Sequence, residues 1–257
     1  MDTLVFLGTG DAMGVPRVYC SCATCTEARG EGVNVRLRSS VLIDSGSDFF
    51  VIDCGPDWRR QMEAQGIRTM RRLLVTHAHF DHIGGLPEWA DSCRWMGYKG
   101  ELYAPAEVIP VILRQYPWLG SHIEMIPCNA GVVLDDWKIT TWKVCHGKNG
   151  YSYAFRLEKA GYTWVYCPDS ISLGPEETRH MHGADLLVLG TSFYYEAAKL
   201  STRSVYDMTE AAELLGEVKP RKAVYTHMSH DVDFRKPYIL PDIVTLARTG
   251  MSIPLGH

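Results

Sequence analysis

The sequence predicts an α/β fold in which two β-sheets pack against each other and helices cover their outer faces. Two observations support this prediction. Short apolar runs separated by turn residues recur in both halves of the chain, and segments with a helical pattern follow them in each half. The 257 residues are enough for one large α/β domain or two small ones. Since no linker, low-complexity segment or sequence repeat forces a boundary, we expect a single domain over residues 1–257.

The first half of the chain is predicted to form strands joined by tight turns, with helices between the later strands. Residues 40–44 and 49–53 flank the turn residues 45–48, which is typical of a hairpin. A helix is predicted over residues 106–116, with Pro110 acceptable only near its first turn. The other predicted strands cover residues 4–7, 73–75 and 101–103, and the other predicted helices cover residues 58–65 and 86–96.

The second half alternates apolar and polar residues in the manner of antiparallel strands. Residues 159–161 have the composition of a turn between two of these strands. An apolar run at residues 186–189 is typical of a buried strand. The other predicted strands cover residues 132–134, 137–144, 151–157, 163–166 and 223–225, and a helix is predicted over residues 209–215.

Composition and charge exclude several classes of function. The formal net charge is −4, and no long basic run is present, which disfavours a nucleic-acid partner bound through a broad basic face. No stretch is long enough to span a bilayer, so we expect no membrane partner. The first four residues include an acidic side chain and lead into a strand-like run, so we do not expect a signal peptide. Most of the eight cysteines are scattered among apolar residues, which favours free thiols in a reducing cytoplasm.

One loop concentrates potential metal ligands. His77, His79, Asp81 and His82 fall within six residues, directly after the apolar run 73–75. Imidazole and carboxylate are suitable ligands for zinc, iron, nickel or manganese. Because a strand delivers this loop to the edge of a sheet, its side chains can be aimed at one centre.

Three further potential ligands follow predicted strands later in the chain. His146, Asp169 and His227 each lie just beyond a strand end. A lone histidine at such a position is more often structural or exposed. Because three such residues occur in addition to the histidine loop, a metal site shared by all of them is the better interpretation.

The ordered pattern His-x-His-x-Asp-His, then His, Asp and His, resembles the metallo-β-lactamase superfamily over essentially the whole chain. That resemblance implies an αββα sandwich of two mixed β-sheets flanked by helices, with a dinuclear centre at its edge. It also implies two groups of metal ligands: His77, His79 and His146 for one ion, Asp81, His82 and His227 for the other, and Asp169 bridging both.

The implied metals are two divalent ions, manganese or zinc, with iron or nickel as alternatives. Two such ions about 3.5–4 Å apart can share a hydroxide that stays ionised near neutral pH. Asp53 matches the superfamily's acidic residue that orients a ligand histidine. A simple turn-forming role at the end of its strand remains the alternative for this residue.

A cysteine-rich loop at about residues 17–30 indicates a second metal site. Cys20, Cys22 and Cys25 can converge on one structural zinc, and His230 is a candidate fourth ligand. The triplet and the opening residues 8–16 resemble the PhnP-like subfamily of phosphoribosyl cyclic phosphodiesterases. Cofactor-synthesis proteins of the PqqB type carry a similar cluster, so the triplet does not fix the substrate. The alternative is three free cysteines in an exposed loop.

The predicted activity is metal-dependent hydrolysis of a small cyclic or nucleotide-like phosphodiester through a hydroxide held by the two metals. By resemblance, Asp81 lies beside this hydroxide and could orient it or shuttle its proton. The PhnP-like enzymes carry a further catalytic histidine where this chain has residues 202–209, which contain none. Asp207 is the candidate for the protonating group there, and a helix N-terminal cap is its alternative role.

Other functions remain open at the level of the sequence. A PqqB-like cofactor-synthesis enzyme and a tRNA 3′-processing nuclease share the resemblance, although the chain shows no Gly/Pro-rich basic insertion suited to tRNA. A binding module that keeps its metals without turnover is a further alternative. The resemblance also suggests a homodimer.

Overall fold

The computed structural model describes residues 2–256, and the strands in this part of the chain alternate with seven α-helices. The strands are β1 (Asp2–Gly8), β2 (Ser40–Asp44), β3 (Phe49–Ile52), β4 (Arg72–Leu74), β5 (Gly100–Ala104), β6 (Ile123–Pro127), β7 (Val132–Leu134), β8 (Trp137–Cys145), β9 (Tyr151–Lys159), β10 (Tyr162–Cys167), β11 (Leu186–Phe193), β12 (Tyr206–Asp207), β13 (Lys222–Thr226), β14 (Val244–Leu246) and β15 (Ser252–Leu255). The helices are α1 (Ala23–Arg29), α2 (Trp58–Gln65), α3 (Phe80–Ile83), α4 (Leu86–Met96), α5 (Ile109–Gln115), α6 (Pro175–Thr178) and α7 (Met208–Val218).

The strands form two mixed sheets. The first sheet has the order β15-β1-β2-β3-β4-β5-β6, and the second has the order β14-β13-β11-β10-β9-β8-β7, with β12 paired to β11. In the first sheet β3, β4, β5 and β6 run parallel to one another. In the second sheet β10, β11, β13 and β14 do the same. The predicted sandwich of two mixed sheets with flanking helices is confirmed.

Strand β1 of the first sheet is buried on both faces from Leu4 onward. Leu4 and Phe6 pack in the cluster shared with the second sheet, whereas Val5 and Leu7 pack in the cluster formed with the helices. Since successive side chains of a strand point to opposite faces, this alternation places one apolar layer between the sheets and another beneath α2, α4 and α5. The buried residues of α7 join the second sheet's cluster.

The carboxyl ends of the parallel strands meet at one edge of the sandwich. This edge is where α/β sheets hold ligands. At this edge, the backbone N–H of Met228, beyond β13, donates to the carbonyl of Thr9, beyond β1. A Cβ atom at Gly55 would lie 2.1 Å from the carbonyl oxygen of Asp81. Only glycine therefore allows the loop after β3 to approach the loop after β4 so closely.

Most predicted elements are present, and the differences have local causes. The helix predicted over residues 106–116 begins only at Ile109, because residues 105–108 form a turn in which Val108 N–H donates to the Pro105 carbonyl. Pro110 lies in the first helical turn, where it removes no helical hydrogen bond. The sequence interpretation missed the strands β6, β12, β14 and β15 and the helices α1, α3 and α6. No helix within residues 2–256 is long and apolar enough to cross a membrane.

Candidate metal centre

The side chain of Asp53 fixes the histidine loop that follows β4. The Oδ1 atom of this buried carboxylate accepts hydrogen bonds from Thr76 N–H at 2.8 Å and from the Thr76 hydroxyl at 3.0 Å. Its Oδ2 atom lies 2.8 Å from Nδ1 of His82. Asp53 adopts a positive φ of 65°, a conformation uncommon for residues other than glycine. The sequence prediction that Asp53 orients a histidine agrees with this geometry.

In three histidines, the ring nitrogen that points away from the cluster contacts a neighbouring group. The other ring nitrogen of each therefore faces the cluster. His82 Nδ1 contacts Asp53, His77 Nδ1 lies 3.0 Å from the Thr76 hydroxyl, and His146 Nδ1 donates to the carbonyl of Ser204 at 2.7 Å. These contacts fix the ring orientation, as neighbouring groups do around metal-binding histidines.

Asp169 lies at the centre of the cluster. Its carboxylate oxygens lie 2.9 Å from His82 Nε2, 3.3 Å from His227 Nε2 and 3.6 Å from His146 Nε2. Asp81 Oδ2 lies 3.1 Å from His82 Nε2 and 3.5 Å from His227 Nε2. Asp169 thus connects the ligand groups that the sequence assigns to two separate metals.

Three overlapping sets of ligand atoms each fit within 4.8 Å. Every residue that the sequence predicts for the dinuclear site is present in these sets, which are His77 with His79 and His146, His77 with His82 and Asp169, and Asp81 with His82 and His227. All of these side chains are buried except that of His79, which is partly exposed.

The electrostatics of the cluster favour bound cations. Burial is the main cause that lowers the pKa values of His77, His79 and His146, so these rings are neutral. Burial would raise the pKa of Asp81, but the neighbouring His82 and His227 outweigh it and hold this carboxylate ionised. Burial likewise opposes a charge on His82, yet its surrounding carboxylates raise its pKa well above the ordinary value. The same carboxylates would attract a metal ion, and binding of that ion would displace the proton from His82. Neutral imidazole and ionised carboxylate are the forms that bind metal.

Unsatisfied buried atoms provide an independent test of the fit to metal. The His82 Nε2, His227 Nε2 and Asp169 Oδ2 atoms are buried without a hydrogen bond of acceptable geometry. Buried polar atoms in proteins are nearly always satisfied. Since these atoms all face one another in a set of nitrogen and oxygen donors, the residues fit divalent metal ions.

The cysteine loop forms the second cluster. The Sγ atoms of Cys20, Cys22 and Cys25 lie 3.3, 3.5 and 3.4 Å from Nδ1 of His230. Cys22 caps α1, and its Sγ accepts a hydrogen bond from the backbone N–H of Cys25, which lowers the pKa of Cys22 to about 6. Three sulfurs and one nitrogen are a ligand set typical of structural zinc. The structure therefore brings together all four residues of the predicted zinc site.

One loop after β13 carries ligands of both clusters. His227 and His230 are three residues apart, and the buried Arg36 holds the backbone both between and after them. Its Nη2 atom donates to the carbonyls of Ser229 at 3.0 Å and Val232 at 2.6 Å. Sequence reasoning missed Arg36, because a lone arginine in a loop has no distinguishing pattern.

Asp207 occupies the cap of α7 rather than a proton-donating position. Its Oδ1 atom accepts hydrogen bonds from Thr209 and from Glu210 N–H, and its Oδ2 atom faces Glu196 N–H and Arg203. Burial raises its pKa, but these hydrogen bonds and the arginine charge outweigh burial and lower it. An ionised carboxylate with both oxygens engaged cannot serve as a general acid. We therefore correct the predicted catalytic role, for which the alternative of a helix cap fits the structure.

Other residues near this segment also have structural contacts. Arg203 is buried and pairs with Glu196 and Glu210 as well as Asp207. Ser204 and Asn149, which the sequence interpretation did not identify, both contact His146; Asn149 Nδ2 lies 3.3 Å from its Nε2 atom. Neither follows an apolar run, so no periodic signal marks them.

The comparisons with known proteins agree with this geometry. A family model described as a beta-lactamase superfamily domain matches residues 49–228. The crystal structure of a diphosphatase from the PhnP family has a TM-score of 0.86 and 25% identity, covering 100% of this chain and 98% of that chain.

Two curated relatives match at the level of sequence. An octanoyltransferase from Porphyromonas gingivalis is 26% identical over 266 residues, covering 96% of this chain and 50% of that protein. A ribonuclease Z from Methanothermobacter thermautotrophicus is 30% identical over 137 residues, covering 48% of this chain and 44% of that protein. The chain thus spans about half the length of these curated relatives. With a family model matched over most of its length and the predicted ligand residues assembled at one sheet edge, this chain belongs to the beta-lactamase superfamily.

Proposed function

We propose that this protein is a metal-dependent phosphodiesterase that cleaves a small cyclic or nucleotide-like phosphodiester. The observation that carries the proposal is the position of Asp169, whose carboxylate lies within 3.6 Å of the Nε2 atoms of three histidines. One carboxylate shared by two groups of ligands is an arrangement that suits two neighbouring metal ions.

The residues divide into two ligand sets around that carboxylate. Two divalent ions, zinc or manganese, would supply charge neutralisation at the phosphoryl oxygens and a more acidic water. We assign them to His77, His79 and His146 on one side and to Asp81, His82 and His227 on the other, with Asp169 between.

The chain's own groups perform the supporting steps. Asp81 is ionised, and its Oδ2 atom lies 3.1 Å from His82 Nε2 and 3.5 Å from His227 Nε2, so it can orient the attacking water beside the metals. Asp53 and the Ser204 carbonyl keep the Nε2 atoms of His82 and His146 turned toward Asp169. Because Asp207 is engaged as a helix cap, we assign it no proton transfer, and diesters with weakly basic leaving groups should react best.

The relatives support cleavage of phosphorus–oxygen bonds. The similarity to the PhnP-family diphosphatase extends over the full chain, and the similarity to the ribonuclease Z extends over about half of it. The transfer activity of the octanoyltransferase belongs to a protein about twice as long as the matched region. The nuclease and cofactor-synthesis alternatives remain predictions, as do the structural zinc, a homodimer and a cytoplasmic location.

A substrate screen with metal analysis on the same sample tests the proposal. Protein loaded with zinc or manganese is incubated with bis(p-nitrophenyl) phosphate, phosphoribosyl 1,2-cyclic phosphate, linear dinucleotides and a tRNA precursor. We expect hydrolysis of the small diesters, lost after chelation and restored by metal. Turnover of the tRNA precursor alone would favour the nuclease, and tightly bound iron with no hydrolysis would favour the cofactor-synthesis alternative.

A further inference from the structure

A cleft of about 220 Å³ opens directly beside the histidine loop. Its volume lies below the ~300–1,000 Å³ of pockets that hold drug-sized ligands, so it suits a single ring or a short chain. One wall is formed by the ligand loop itself and the other by the start of α5 and the start of β9. The lining residues are His77, Ala78, His79, Val108, Val111, Asn149 and Tyr151.

The walls away from the metal ligands are mostly apolar. Val108 and Val111 contribute aliphatic surface, and the 40% exposed Tyr151 contributes an aromatic ring. Gln115 Nε2 donates to the Ala78 carbonyl at 2.9 Å and so ties α5 to the ligand loop. An apolar cleft fixed in this way favours an uncharged group, because a charged one would lose its hydration without a partner.

The charged side chains close to the cleft already have partners. The Glu107 carboxylate accepts hydrogen bonds from the Tyr153 hydroxyl and from Asn129 Nδ2. The Lys143 ammonium lies 3.6 Å from the centroid of the Tyr151 ring, on which it stacks. Both side chains thus have a contact within the protein beside the cleft.

Asn149 marks the boundary between the cleft and the metal cluster. Its Nδ2 atom is 3.3 Å from His146 Nε2, the nitrogen that faces Asp169. An amide donor at this point can bind a phosphoryl oxygen while the attached ester group enters the cleft. A phosphodiester thus has one place for its phosphorus and an adjoining place for one substituent.

We propose that this cleft binds an uncharged ring on one ester oxygen of the substrate, and that Val111 and Tyr151 determine this specificity. The inference rests on the proposed phosphodiesterase function and names the substrate class more closely: aryl or other ring-bearing diesters rather than dialkyl ones.

Equilibrium binding tests the cleft independently of turnover. Isothermal titration of the metal-loaded protein compares diphenyl phosphate with dimethyl phosphate, which carry the same charge. We expect diphenyl phosphate to bind at least about tenfold more tightly. Val111→Asp should remove this preference, whereas Val133→Asp, at a valine that is 66% exposed on β7, should leave it unchanged. Equal affinities of the wild type for the two phosphates would overturn the inference.

Kinetics with two leaving-group-matched substrates provide the second readout. Val111→Asp should lower kcat/KM for bis(p-nitrophenyl) phosphate by about tenfold or more, and should lower it less for p-nitrophenyl phosphorylcholine, whose cation can pair with the new carboxylate. An equal loss on both substrates would overturn the cleft and leave the hydrolase proposal intact. Selective binding of diphenyl phosphate without any turnover would overturn the hydrolase proposal and leave the cleft as a ring-binding site.

Discussion

The Nδ1 atom of His82 lies 2.8 Å from the Oδ2 atom of Asp53, and both side chains are buried. The same carboxylate binds Thr76 through its other oxygen, so it fixes both the start of the ligand loop and the ring of its last histidine. This contact leaves His82 Nε2 directed at Asp81 and Asp169.

We predict that Asp53→Asn weakens metal binding at the cluster by about 10- to 100-fold, since groups that orient ligand histidines have effects of this size. A competition titration against a fluorescent zinc chelator measures the affinity. Asp91→Asn on the exposed side of α4 is the control and should match the wild type. An unchanged affinity in Asp53→Asn would leave this residue only a structural role.

Asp207 should matter for stability rather than for turnover. Asp207→Ala removes the cap of α7, which should lower the free energy of unfolding by about 1–2 kcal/mol. Urea unfolding measures this loss, and kcat per folded molecule should stay within about twofold of the wild type, since the predicted rate does not depend on this residue. A large loss of kcat in a folded variant would restore the role of proton donor.

The contribution of Asp207 to stability should depend on pH. Its pKa is lowered in the folded state by hydrogen bonds and the Arg203 charge, which outweigh burial. The stabilisation is therefore complete above the ~3.9 of an unfolded aspartate and is lost as the pH falls through the folded-state value. The difference in unfolding free energy between wild type and Asp207→Ala should shrink in acid. A difference that grows as the pH falls would contradict this sign.

The cysteine cluster should hold its metal separately from the histidine cluster. Cys22→Ser should lower the zinc content by about one equivalent and reduce the midpoint of thermal unfolding, because one of four ligands is lost. Cys128→Ser, at a buried cysteine outside either cluster, should keep the wild-type zinc content. Elemental analysis of the two variants decides the point, and equal zinc content in both would refute the site.

The ligand residues could be predicted from the sequence because each follows a short apolar run. His77, His146, Asp169 and His227 lie just beyond β4, β8, β10 and β13, whose ends meet at one edge of the sandwich. An apolar run locates a strand, and the residue after it locates the edge. The two sheets and the candidate ligands therefore followed from local patterns, whereas the division of the ligands into two metal sets came from the resemblance to the metallo-β-lactamase superfamily.

Other features depend on contacts between distant segments. An aspartate before a helix looks the same whether it caps the helix or donates a proton, and only the contacts with Arg203 and Glu196 separate the two roles of Asp207. Val111 reads as an ordinary core residue of a helix, although it lines the cleft. Strand β15 was missed because it is short and its partner, β1, lies at the other end of the chain.

Hydrolysis of bis(p-nitrophenyl) phosphate by wild type and Asp169→Ala, both loaded with metal under the same conditions, tests the central claim most directly. Asp169 contacts three of the ligand histidines. Removing it should therefore lower kcat/KM by more than the removal of a group that only orients a ligand. We expect kcat/KM to fall by more than about 100-fold in a variant with an unchanged circular dichroism spectrum. Metal-dependent turnover at the wild-type rate in Asp169→Ala would contradict a catalytic centre at this cluster.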